Sequence, residues 1–144
     1  MNRFCFLIAA FAIASFSSSC VTAPDSTTQT TGAGYGESKG AAIEVCSLDG
    51  ERAYLARLVC PTGEPAAFDR LGQYGPRNEL PADQSLSEQI ASARRDPLKP
   101  GEADYHVVDG YQIACGASKR LLYLDMYHCH QPPPTDAPPG YSLR

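Results

Sequence analysis

The sequence predicts an α+β fold: a small antiparallel β-hairpin domain of about five strands, with one short helix, two disulfides, a disordered N-terminal tether and a Pro-rich C-terminal tail. Three observations predict it. The chain has 144 residues, 43% of them apolar, which suffices for one modest core. Short runs rich in Tyr, Leu, Ile and Val alternate with Gly, Pro and Asp turns, whereas only one stretch has helical period with caps. Cys46, Cys60, Cys115 and Cys129 form an even set inside the strand-rich region.

Residues 1–19 read as a signal peptide. Arg3 supplies the basic end, and Phe4 to Phe16 is almost unbroken apolar sequence. Such a helix rises about 20 Å, short of the about 30 Å of a hydrocarbon core, so a permanent transmembrane span is not expected. Ser17-Ser18-Ser19-Cys20 resembles a lipobox, with Ser17 where leucine is usual. The resemblance implies a diacylglycerol on Cys20. Cysteine arithmetic agrees: Cys5 leaves with the signal and Cys20 is odd beside the even set, so it needs a purpose in an oxidising compartment. Val21 rather than aspartate after the cysteine implies, by the same resemblance, the periplasmic face of the outer membrane. Small residues Val21 and Ala23 would serve an ordinary signal peptidase, giving a soluble periplasmic protein instead.

Residues 20–40 form a Thr-, Ser- and Gly-rich tether. The domain is expected over 41–131. Ala41 to Cys46 and Arg52 to Cys60 flank Asp49-Gly50, a strong hairpin signal, and Ala66 to Leu71 reads as a third strand. Gly72 to Pro81 reads as loop. Ser85 and Glu88 have capping-box spacing ahead of Leu86, Ile90 and Ala93, a narrow apolar stripe that Asp96-Pro97 ends. Tyr105 to Cys115 and Arg120 to Cys129 flank Gly116–Lys119 as the last hairpin. Pairing Cys115 with Arg120 sets Ile113 against Leu122 and Tyr111 against Leu124 on the core face. Gln112, Gly110, His106, Tyr123, Asp125 and Tyr127 then share the more polar face. Residues 132–144 read as an extended tail.

The spacing from Cys46 to Cys60 equals that from Cys115 to Cys129, with Tyr-Leu at the same place in each, a weak internal repeat. In hairpins of these registers the two cysteines of one unit stand roughly 23 Å apart, whereas bridged α-carbons lie within about 7 Å. Bridges between the hairpins are therefore expected: Cys46–Cys115 with Cys60–Cys129, or Cys46–Cys129 with Cys60–Cys115.

The net charge of −4 offers no basic footprint, so nucleic acid is not an expected partner. No Gly-x-Ser-x-Gly elbow, phosphate-binding glycine loop or His-Glu-x-x-His helix appears, and no enzyme or cofactor is expected. Met126, His128 and His130 share a strand face and suit copper or zinc, while Cys129 faces away. Tyr105, Tyr111, Tyr123 and Tyr127 crowd one hairpin, as binding surfaces favour. The run Leu124-Asp125-Met126-Tyr127-His128-Cys129 and the tethered, cysteine-paired plan resemble small lipoproteins of Gram-negative envelopes. That resemblance implies a non-catalytic, lipid-anchored protein whose domain binds an envelope partner.

Overall fold

The structure, a computed structural model, describes residues 34–94 and 96–144. The signal peptide, Cys5, Cys20 and most of the tether lie outside the described residues. The chain order is β1 (Ile43–Glu44), α1 (Ser47–Leu55), β2 (Leu58–Val59), β3 (Ala67–Pro76), α2 (Leu86–Ala93), β4 (Val107–Cys115), β5 (Ser118–Asp125) and β6 (Ser142–Leu143). One sheet runs β1-β5-β4-β3 and a second pairs β2 with β6. The α+β class holds. The expectation of a wholly antiparallel sheet does not, because β1 runs parallel to β5.

The long hairpin β4–β5 organises the sheet. Cys115 pairs with Ser118, leaving a two-residue turn rather than the expected four. Gly116, at φ 59°, supplies the positive dihedral such a turn requires at its first position. The register therefore slips by two: Asp109, not Tyr111, stands opposite Leu124. A slip of two preserves which face each side chain occupies, so Tyr111, Ile113, Leu122 and Leu124 still form the core face, all buried.

Residues 47–55 are helical, which overturns the first expected hairpin. Asp49-Gly50 sits in the first turn of α1, where Ser47 Oγ accepts from the Gly50 amide at 3.4 Å. Glu51, Tyr54 and Leu55 are the buried residues, at i, i+3 and i+4, and Tyr54 and Leu55 join the core cluster. The spacing shared by the two cysteine pairs thus carries no common structure: one unit holds a helix and the other a strand.

The third strand extends through the segment read as loop. β3 is an edge strand with register shifts between Arg70 and Gly72 and between Gln73 and Pro76. Bulges at an edge tolerate the glycines and proline that mark loops elsewhere. Gly110 opposite it leaves room for the Tyr74 ring, with which a β-carbon there would collide. Tyr74 in turn packs edge-to-face on Tyr123.

Both ends belong to the domain more closely than composition suggests. Tyr35 is fully buried, and the Tyr123 amide donates to Gly36 O at 2.8 Å. The expected free tail docks: Pro134 and Pro138 are buried and β6 pairs with β2. Two disulfides join Cys46 to Cys129 and Cys60 to Cys115, the second of the two expected pairings. Among the described residues, no helix is long and apolar enough to cross a membrane.

Candidate functional site

The most unusual feature of the domain is a buried ionic hub around Arg77. Arg77 follows β3, and its amide donates to His106 O at 2.8 Å, continuing the sheet toward β4. Its guanidinium is 8% exposed and donates from Nη2 to Glu44 Oε1 at 2.6 Å and from Nη1 to Asp125 Oδ2 at 3.2 Å. Asp104 and His128, both buried, complete the group, with His128 Nε2 donating to Asp104 Oδ2 at 2.9 Å. Four segments meet here: β1, the end of β3, the approach to β4 and the exit from β5. Carbonyl and side-chain satisfaction both matter, since an unpaired charge in this setting is costly.

Electrostatics set the protonation. Burial opposes the charged form of His128, but hydrogen bonds to Asp104 and Asp125 outweigh it and raise its pKa to about 9. Burial likewise disfavours an ionised Asp104, yet hydrogen bonds from His106 and His128 hold it well below the usual carboxylate range. Asp125 is pushed up, chiefly by burial and despite its hydrogen bond with His128, with the charge of Asp104 adding to the effect. When Asp125 keeps its proton, Arg77 and His128 balance Glu44 and Asp104, and the hub is neutral.

This arrangement bears on metal chemistry. Asp104, Asp125 and His128 hold possible ligand atoms within 4.8 Å of one another. Arg77 Nη1, however, lies 3.1 Å from His128 Nε2, 3.2 Å from Asp125 Oδ2 and 3.8 Å from Asp104 Oδ2. The guanidinium takes the place a bound cation would need. Of the residues singled out in the sequence, His128 and His130 lie with ring centroids 5.9 Å apart, but Met126 packs against the apolar core, His128 is engaged in the hub, and His130 Nδ1 lies 3.1 Å from Leu98 O. A protonated His128 has no lone pair to offer.

The tyrosines are likewise divided. Tyr111 and Tyr127 are buried, while Tyr105 and Tyr123 are half-buried, so the four do not form one surface. The face read as polar is covered at this end, where Leu98 is buried and its amide donates to Tyr127 O at 2.8 Å. Gly110, His106, Asp125 and Tyr127 are buried accordingly.

The hub reaches the surface through His106. Its Nδ1 and its amide both donate to Asp104 Oδ1 at 3.0 Å, and its ring stacks on Tyr127 with centroids 4.0 Å apart. His106 also lines the adjoining cleft. That cleft, about 840 Å³, is lined by His106 and Tyr105, by Asp83, Asp96 and Glu102, and by Arg94 and Lys99. Gln84 and Arg94, just before and after α2, line it, and on α2 itself the narrow apolar stripe is exposed: Leu86 is 71% and Ile90 51% accessible, with Leu80 at 43% nearby in sequence. The cleft presents side chains of both charges. Among the described lining residues there is no serine, threonine or cysteine to serve as a nucleophile.

Sequence reasoning missed Arg77, which it placed in a loop. A usable signal existed in Glu44, a lone carboxylate between Ile43 and Val45 in an apolar run, because such a charge needs a buried cation. No family model, curated protein or solved structure matches the chain.

Proposed function

We propose that this protein is a non-catalytic binding module of the cell envelope, held to the outer membrane by a lipid on Cys20, whose domain docks onto another envelope protein. The observation that carries the reading is the outward apolar stripe of α2. Leu86 and Ile90 recur at i and i+4 yet are exposed, and Gln84 and Arg94, just before and after α2, line a polar cleft with both signs of charge. Exposed apolar residues rimmed by charge are the usual composition of a protein-binding patch. Two disulfides accord with a compartment in which thiols oxidise. The lipobox-like Ser17–Cys20 supports the anchor, and the Thr- and Gly-rich residues after it would hold the domain clear of the headgroups.

The test places a photo-crosslinking residue at Leu86 or Ile90 of the full chain in its native envelope. The expected result is a protein adduct at both positions that disappears when Leu80 and the other stripe position are changed to Asp. Adducts to lipid alone, or none at either position, would overturn the reading. The intact mass of the mature protein tests the address separately: an N-terminal Cys20 carrying acyl chains is expected, and an N-terminus elsewhere would remove the anchor.

A further inference from the structure

The two disulfides differ in what surrounds them. Cys60 is 4% exposed and Cys115 half-buried, so that bridge is enclosed by the fold. Cys46 and Cys129 are both exposed. A cavity of about 310 Å³ opens beside their bridge, lined by Cys129 together with Ser47, Leu48, Pro97, Met126 and Tyr127. A thiol entering that cavity reaches Cys129, and access is one of the factors that set the rate of thiol–disulfide exchange.

The exposed bridge is not what holds its two segments side by side in the folded state. The Val45 amide donates to Asp125 O at 2.9 Å, the Ser47 amide to Met126 O at 2.8 Å and the His128 amide to Val45 O at 3.0 Å. Glu44 and Asp125, on the same two segments, are both tied to Arg77 in the hub. The α-carbons of Cys46 and Cys129 are 4.4 Å apart, and this backbone ladder keeps them together when the bond opens. Closing it again requires no search by the chain. Cys46 is also the N-cap of the nine-residue α1, and the amino end of a helix favours a thiolate. Asp49, the acidic residue of that first turn, is ion-paired to Arg52 at 3.4 Å. Cys46 is therefore the better leaving group and Cys129 the sulfur open to attack.

From this geometry we propose that Cys46–Cys129 is a redox-active disulfide that exchanges with a dithiol, the cavity beside Cys129 being the entry for the incoming thiolate. That thiolate attacks Cys129 Sγ, a mixed disulfide forms there, and Cys46 departs as the thiolate. The donor's second thiolate then attacks the donor sulfur of the mixed disulfide and releases Cys129. The donor dithiol loses two electrons and becomes a disulfide, and its two protons pass to Cys46 and Cys129. Cys60–Cys115 takes no part and keeps the domain crosslinked throughout. The exchange is stoichiometric and uses neither Leu86 nor Ile90, so it stands or falls apart from the docking surface.

Differential thiol trapping on the oxidised full chain tests it. The protein is treated with dithiothreitol under native conditions, free thiols are alkylated at intervals, and the labelled cysteines are mapped by mass spectrometry. Cys46 and Cys129 are expected to take label at least about ten-fold faster than Cys60 and Cys115. Hydrogen-exchange protection of β4 and β5 should persist while only that pair is reduced. Oxidised glutathione should restore Cys46–Cys129 once the dithiothreitol is removed. Equal rates at all four cysteines would overturn the proposal, because both bridges would then open only through unfolding. Loss of protection in step with the first pair would overturn it too. A brief reaction with reduced glutathione instead reads the two roles. The adduct is expected on Cys129 with Cys46 left free, and an adduct on Cys46 overturns the assignment.

Discussion

Glu51 brings a carboxyl into the core on α1, fully buried, with Tyr111 Oη donating to Oε2 at 2.7 Å and Oε1 left without a partner. Burial raises its pKa to about 7, against the Tyr111 hydrogen bond and with help from the charge of Asp109, itself paired to Arg70 through two contacts of 2.7 Å. The folded state thus holds a proton that the unfolded chain releases near its ordinary value of 4.5, so stability falls as pH rises from there through about 7. Glu51→Gln should remove that fall, raising stability at pH 8 by up to about 3 kcal/mol and changing little at pH 4, as read by denaturant unfolding. His128 acts in the next window. Its folded pKa lies above its unfolded one, so its contribution is complete below 6.5 and is lost as pH rises through about 9. His128→Asn should flatten the unfolding free energy between those limits; an unchanged slope would mean the imidazole is not the charged member of the hub. Removing Arg77 is the harshest change at this scale. Arg77→Met leaves three carboxylates and should cost about 3–5 kcal/mol by the same measurement.

At the scale of the element, α2 and β5 should respond in opposite ways to loss of apolar side chains. Leu86→Ser with Ile90→Ser removes exposed groups and is expected to change unfolding free energy by less than about 0.5 kcal/mol. Leu122→Ala, at a fully buried position of β5, should cost about 2–5 kcal/mol. Equal costs would mean the stripe is packed. The elements also separate what was legible from what was not. α2 was readable from Ser85, its stripe and Asp96-Pro97, because local capping and period are enough to start and stop a helix. The β4–β5 hairpin was readable as to faces, though not register, since alternation has period two and cannot detect a slip of two. α1 was misread because Asp-Gly is a turn signal in isolation. What overrides it is the burial of Glu51, Tyr54 and Leu55 on one side, a tertiary contact invisible to local pattern. The hub was hidden for a related reason: Glu44, Arg77, Asp104 and Asp125 are scattered over the chain and meet only when four segments do.

Across the whole molecule, stability rests heavily on crosslinks. The bridges span 83 and 55 residues, and the chain-entropy treatment gives each about 4 kcal/mol. A domain of this size has little more than that to spare, so reduction is expected to unfold it cooperatively, visible as loss of near-ultraviolet dichroism. A reduced protein that kept its thermal midpoint would show that the core alone suffices. By itself the sequence determined the class of fold, the face of the long hairpin turned to the core, the joining of distant rather than neighbouring cysteines, and the helix at 86–93. The class, the hairpin face and the helix follow from period and capping, which are local quantities; a separation too long to bridge holds for Cys115 and Cys129 on the long hairpin, whereas Cys46 and Cys60 flank α1 and not the expected hairpin. Tertiary structure alone decided which of two disulfide pairings forms, that residues 47–55 coil, that the proline-rich end docks, and where the buried charges meet. Those outcomes depend on which surfaces become dry when remote segments come together, and the free energy of burial is not written at any single position.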